Sequence, residues 1–404
     1  MDAHLPLCFI WSRLVKSKIK RVTKERGMVK DEKAWALEIA DKIIAKEEKV
    51  FERSRNKVPY NTDENGRFDD WSDRIGWWTN GFWGGMGWQL YNATHNELFA
   101  DVAKDTEDKM DEVLMNSAWM DHDSGFRWLP TSFANYKLNG DKKSFNRLIL
   151  AADNMCGRFN PVGNFIKAWN ADESGNRAGI AIIDCMMNLP LLYWVYAATD
   201  DPKYLHVAKL HANTAMKYFI REDGSACHIV QFDPMDGHFI DSIGGQGYAH
   251  GSSWTRGQTW AIYGFALSYM HTGEKQYLET SKKVADYFIS EIPENGLIPV
   301  DFRQPAEPAW EDSTAAAIAA CGLLELEKFC DGELKDKYHA AAIRLLETLT
   351  NERCDFTDDK DNIVEKCTAA YHDKRHEFAI IYGDYYYIEA IWKLTGKELF
   401  IWGK

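Results

Sequence analysis

Six times along this chain an apolar run rich in Gly and aromatic residues breaks at a short polar turn, and an amphipathic run opening on an aromatic residue or Leu follows. The turns fall at 93–99, 138–141, 198–204, 271–277, 329–333 and 394–398, and each carries Gly, Asp, Asn or Thr at its centre. Apolar residues recur at three- and four-residue spacing on both sides, the signature of helices rather than strands. The intervals match a helical hairpin plus a loop of variable length. Each apolar helix reads as an inner stave and each amphipathic one as an outer stave. After the sixth turn too few residues remain for an outer helix, and the amphipathic helix at about 31–53 has no inner partner. That helix can fill the gap, which predicts an all-α, single (α/α)6 barrel of six hairpins with the N-terminal helix closing the outer ring. An open helical solenoid, whose ends never meet, is the rival.

The chain has 404 residues, enough for two average domains or one large barrel. The repeat favours a catalytic barrel over 28–404, with 1–27 as a basic extension that packs on nothing and Met28 as a natural start. The formal charge of −13 and the lack of a basic, aromatic-interleaved patch in the body argue against nucleic acid. Basic residues follow the apolar run near the N-terminus instead of preceding it, the wrong order for a secretory signal, and no stretch is long enough to span a bilayer. The eight cysteines form no CxxC pair and no zinc spacing. We expect no metal, no membrane partner and a reducing, cytoplasmic location.

In such a barrel the loops 54–78, 117–136, 157–178, 221–254 and 292–311 gather on one face and carry function. Asp184 stands out within 178–192, an apolar stretch that reads as a helix buried nearly all round. An ionised carboxylate there costs several kcal/mol unless paired, so an active-site acid is the favoured reading over a salt-bridged core residue. Asp123, in the turn before an inner helix, is either a local Asx cap or the second member of a carboxylate pair. Asn188 lies one turn below Asp184 and reads as an ordinary buried hydrogen bond, and Pro190 should kink the helix.

The segment 244–260 is the densest polar and aromatic cluster, with Gln246, Trp254, Arg256 and Trp260 just ahead of and inside an inner helix. Indole faces stack on sugar rings, and a guanidinium offers a planar fork to a carboxylate. Trp77, Trp78 and Trp83 repeat the pattern at the first inner helix, and His228 can donate to a substrate or satisfy a loop. No phosphate loop and no serine nucleophile elbow occurs.

The strings around 78–85, 122–126, 183–194, 246–248, 253–260 and 382–386 resemble the unsaturated glucuronyl hydrolases of glycoside hydrolase family 88, from about residue 30 onward. The resemblance implies an (α/α)6 barrel needing no metal or organic cofactor. It implies a substrate class of disaccharides and short oligosaccharides with a 4,5-unsaturated uronic acid at the non-reducing end. It implies hydration of that vinyl ether, with Asp184 as general acid/base and Asp123 as the second essential carboxylate. Trp78, His228, Gln246, Trp254, Arg256 and Trp260 would surround the uronate. In such enzymes the neighbourhood corresponding to 363–377 can contribute contacts to sulfate on the adjoining amino sugar, through hydroxyls and a Lys that have no secure match here. Lys374 and Arg375 are the basic groups here, although a solvated charged loop is the simpler reading. The alternatives are an unsaturated rhamnogalacturonyl hydrolase on the same barrel, a sugar epimerase relying on paired histidines, and a non-catalytic sugar-binding module.

Overall fold

The computed structural model describes residues 31–173 and 175–404. The expectations for residues 1–27 lie outside the described residues. Among these, twelve staves alternate between an outer and an inner ring. The outer staves are α1 (Glu32–Ser54), α3 (Glu97–Lys109), α5 (Lys142–Gly157), α7 (Pro202–Tyr218), α9 (Lys275–Glu291) and α11 (Gly332–Glu352). The inner ones are α2 (Gly81–Thr94), α4, α6 (Leu189–Thr199), α8 (Thr255–Thr272), α10 (Ser313–Leu326) and α12 (Ile381–Thr395). Stave α4 runs through three segments, Ser124–Trp128, a π-helical turn Leu129–Phe133 containing Pro130, and Ala134–Asn139.

The polar turns have a common geometry. Inner helices end on a left-handed residue, at His95 (φ 58°), Gly140 (66°), Asp200 (56°), Gly273 (69°) and Gly396 (74°). An outer helix then begins on a side-chain cap in three cases: Asn96 accepts from Leu98 N–H, Asp141 from Ser144 N–H and Asp201 from Lys203 N–H. The fifth junction departs from this, passing through a 3-10 turn Glu327–Phe329 before Gly332 (φ 56°) opens α11. Every residue of α10 is buried, whereas the outer helices bury one face. The difference reflects an inner ring walled on all sides.

The ring closes. Inner staves pack in chain order, α12 packs on α2, and α1 packs on α12 and α3, so the terminal helices meet and the structure is an (α/α)6 barrel rather than a solenoid. Polar clasps hold α1 there. Lys46 Nζ donates to the carbonyls of Asp355 (2.7 Å) and Asn362 (2.6 Å), and Arg53 pairs with Asp361 at 2.7 Å. No described helix is long and apolar enough to cross a membrane.

Three features differ from the sequence expectation. The stretch 178–192 is not one helix. Ile180–Ile182 is strand β3, Ile183–Met187 a 3-10 turn, and α6 starts only at Leu189 with Pro190 in its first turn, where a missing N–H breaks nothing. The loops 157–178 and 221–254 hold strands: β1 (Phe159–Asn160) pairs with β2 (Phe165–Ile166), and β3 pairs with β4 (Ile229–Phe232), which pairs with β5 (Phe239–Ile243). These strands are too short for alternation to stand out, and long-range pairing decides them. Finally, the segment read as loop over 117–136 is helical from Ser124.

Candidate active site

The β3–β4 register sets Ile182 opposite Ile229, and Ile183 N–H donates to the His228 carbonyl at 3.1 Å. Strand pairing therefore brings Asp184 beside His228. The Asp184 carboxyl is largely covered (14% exposed), and its Oδ1 lies 3.8 Å from His228 Nε2. Asp123 stands just before α4 with its side chain 11% exposed, and Oδ2 lies 3.4 Å from His122 Nε2. One side chain joins the two acids: Asn188 Nδ2 lies 3.2 Å from Asp123 Oδ1 and 3.2 Å from the Asp184 carbonyl.

Burial decides the charge state of this pair. It pushes the Asp184 carboxyl up to about 7, against the opposing pull of the Arg256 charge and of the Trp260 indole. The indole N–H and Asp184 Oδ1 are both buried and complete no hydrogen bond of ordinary geometry. Asp123 is driven well above the usual carboxylate range by burial, then by the charges of Asp121 and Asp184. Burial thus favours the neutral form of both carboxyls, and for Asp123 the Asp184 charge adds to it. Asp121 behaves oppositely: burial pushes it up, but the charge and hydrogen bonds of Arg127 hold it low. Asp384 warns against reading burial alone as function. It too is pushed up to about 7, yet it is sealed in the wall and accepts the N–H groups of Ile363 and Val364.

The two histidines of the site are neutral. Burial, then the Arg256 charge, pulls His228 down to about 3. Its Nδ1 accepts from Gln246 N–H at 2.9 Å, so the ring proton sits on Nε2, facing Asp184. Burial likewise holds His122 at about 4.

The aromatic wall is continuous. Trp78 packs on Tyr382 (5.0 Å between centroids) and Phe126 (5.4 Å), and Phe126 packs on Trp260 (5.0 Å). Trp254 lies over His228 at 4.1 Å, and its ring also stacks with the Arg256 guanidinium at 4.5 Å. The structure thus gathers Asp123, Asp184, His228, Trp254 and Trp260, with Trp78 on the adjoining wall.

Two residues are used differently from the sequence expectation. Arg256 does not present a free fork: Nη1 bonds to Asp312 (2.5 Å), Thr314 (3.1 Å) and the Thr368 carbonyl (2.9 Å), and Nη2 to the Ala369 carbonyl. A buried guanidinium needs such partners, and Asp312 is itself fully buried. Its influence on Asp184 is electrostatic. Gln246 likewise spends its side-chain amide on the Ala369 carbonyl at 2.7 Å. The loop 363–377 therefore braces the site, and Arg375 is turned onto the Phe378 ring and donates to Asn61 and Thr62.

Sequence reasoning gave no role to His122, Phe126 or Tyr382, although all three lay inside or beside the quoted strings; the adjacency of His122 to Asp123 was the available signal. It also passed over Trp169, which packs with Ile180 and Ile243 around Ala168, Ile182 and Ile229 beside the site strands. Among the described residues, Asp233, Asp236 and His238 bring metal-ligand atoms within 4.8 Å of one another, but on the β4–β5 turn, where the Asp233 and Asp236 carboxylates accept backbone N–H groups.

The model of Glycosyl Hydrolase Family 88 matches residues 42–402. The unsaturated glucuronyl hydrolase of Bacillus sp. (strain GL1) is 36% identical over 324 residues, 78% of this chain and 86% of that protein. The unsaturated chondroitin disaccharide hydrolase of Streptococcus pneumoniae (strain ATCC BAA-255 / R6) is 33% identical over 323 residues, covering 78% and 81%. The crystal structure of an unsaturated glucuronyl hydrolase from Streptococcus agalactiae superposes with a TM-score of 0.83 at 30% identity, over 93% of this chain and 95% of that one. With a barrel of matching architecture and a match running from the closing helix to the last residues, the chain belongs to glycosyl hydrolase family 88.

Proposed function

We propose that this enzyme removes the 4,5-unsaturated uronic acid from the non-reducing end of lyase-generated glycosaminoglycan disaccharides and short oligosaccharides. The observation that carries the reading is Asp184, a carboxyl whose neutral form persists to about pH 7 at the edge of an aromatic wall and beside a second protonatable acid. Asp184 delivers its proton to C4 while water adds to C5, and the resulting carboxylate takes the water's surplus proton, restoring the acid. The C5 hemiketal then opens. Its C5–O5 bond breaks to leave a ketone, the C5 hydroxyl giving up a proton as O5 gains one, and C1, now a hemiacetal, collapses to an aldehyde, its hydroxyl giving up a proton as the departing sugar oxygen gains one. One water is consumed, and no net proton is gained or lost.

Asp123 assists by hydrogen bonding from its neutral form, and the half-buried Trp78 offers a face to the sugar ring, while the buried Trp254 and Trp260 back the site. His228 and His122 are neutral far below working pH, which leaves proton traffic to the carboxyls and disfavours an epimerase built on a histidine pair. The seven described cysteines are free, which suits a reducing cytoplasm.

The test is loss of ultraviolet absorbance from unsaturated chondroitin and hyaluronan disaccharides, with wild type beside Asp184→Asn. Loss with wild type alone supports the chemistry and its acid. Turnover confined to pectin-derived unsaturated disaccharides would move the assignment to a rhamnogalacturonyl hydrolase, and no turnover on either class would end it.

A further inference from the structure

Asn188 occupies the N-terminal boundary of α6, where an asparagine ordinarily turns its side chain onto its own helix and satisfies a free N–H. It makes no such bond here. The fully buried side chain instead reaches across to α4: Oδ1 accepts from Phe126 N–H at 2.8 Å, and Nδ2 lies 3.2 Å from Asp123 Oδ1 and 3.2 Å from the Asp184 carbonyl. The bond from Phe126 settles which end of the amide is oxygen, since a backbone N–H cannot donate to an NH2 group. The amide nitrogen therefore faces the acids. The first turn of α4 is fitted to this arrangement, because a Cβ at Gly125 would stand 2.5 Å from Asn188 Cα and 2.8 Å from its Oδ1.

A carboxyl oxygen that receives an N–H is held as an acceptor, so the proton of a neutral Asp123 belongs on the other oxygen. Oδ2 is that oxygen, 3.4 Å from the neutral His122 ring. We infer that Asn188 is a positioning residue that keeps the Asp123 proton on Oδ2 and ties the two carboxyl-bearing segments into one unit. The inference rests on the hydrolase reading above. Asn188 touches no reacting atom; it acts through Asp123, whose O–H it aims and whose ionised form it favours by one hydrogen bond.

Two variants separate aiming from bulk packing. Asn188→Asp has nearly the same shape and keeps the acceptor for Phe126 N–H, but donates to Asp123 only when it is itself protonated. Asn188→Ala cannot donate at any pH. With unsaturated chondroitin disaccharide, Asn188→Asp should lose about 100-fold in kcat at pH 7, with KM changed by less than about threefold, and regain much of it toward pH 5 as the new carboxyl takes up its proton. Asn188→Ala should be slowed about 10- to 100-fold throughout. Its alkaline limb, set by Asp184, should stay near that of wild type, and it should show none of the recovery toward pH 5 expected of Asn188→Asp. Thermal melts at each pH correct for folded fraction. A residue with a merely structural role would shift the melts and leave the Asn188→Asp profile parallel to wild type, and that parallel profile would overturn the inference. The hydrolase reading is judged separately in the same plate: wild-type turnover with none from Asp184→Asn upholds it, whatever the Asn188 variants do.

Discussion

Replacing Asp184 by Asn should abolish turnover and, above neutral pH, make the protein more stable. The ordinary value of this carboxyl is 3.8, and burial lifts it to about 7. Three units at ~1.4 kcal/mol each amount to about 4 kcal/mol, which ionised Asp184 withdraws from the folded state above pH 7. The sign follows from proton counts. Between about pH 4 and pH 7 the folded protein holds a proton that the unfolded chain has released, so stability falls as pH rises through this window and then levels off. An asparagine does not titrate. The melting-temperature difference between variant and wild type should thus be small near pH 4.5 and grow to about +5 °C by pH 8 for a chain of this size. Loss of the Asp184 charge also relieves Asp123, adding to the same trend. Differential scanning fluorimetry across pH 4.5–8.5, beside the absorbance assay, reads both quantities. A difference that is constant with pH, or that shrinks as pH rises, would refute the argument that an uncompensated buried carboxyl powers this site.

Wild-type kcat should decline as pH rises through about 7, where Asp184 loses the proton it donates, and a rate–pH profile that stays flat to pH 9 would contradict this. Asp312→Ala strands the Arg256 guanidinium in the core and should cost about 3–5 kcal/mol in urea unfolding. Gly245→Ala places a Cβ 2.0 Å from His228 Nδ1 on a backbone with φ of 60°, so the imidazole must move; kcat should fall at least about 10-fold, visible in steady-state kinetics. Gly264→Ala drives a Cβ to 2.5 Å from Met186 Cβ between the α8 stave and the turn bearing Asp184, and should lower stability by about 1–3 kcal/mol in the same urea assay.

The ring was legible because its information is local. A left-handed residue at His95 or Gly273 and an oxygen cap at Asn96 or Asp201 are short-range requirements, and each writes itself into four or five consecutive residues. Asp184 was legible for a related reason, since a carboxylate in an apolar run is conspicuous whatever the backbone does there. The secondary structure around it was not, because Ile180–Ile182 becomes a strand only when Ile229–Gln231 lies alongside, nearly fifty residues on. The role of Arg256 was hidden in the same way. A guanidinium looks identical in sequence whether it waits for a substrate or is spent on Asp312 and on carbonyls from 368 and 369, and only the fold brings those together. From sequence Asn188 reads as a buried hydrogen bond, which it makes, but its partner Asp123 sits 65 positions earlier and is out of reach of a local reading.

The closing of the ring has a consequence for how the chain is made. Helix α1 turns Ala36, Ile39, Ala40, Ile43, Val50 and Phe51 inward, and the stave it leans on, α12, is the last to be synthesised. At about 5–20 residues per second, roughly 15 to 65 s separate the emergence of the two from a ribosome. Through that interval only α3 and the first inner stave are available to cover the apolar face. The nascent barrel therefore remains an open arc until its final helix is released. A circular permutant that moves α1 behind α12 would synthesise the two helices in succession, and should shorten the time this arc stays exposed to chaperones and to aggregation.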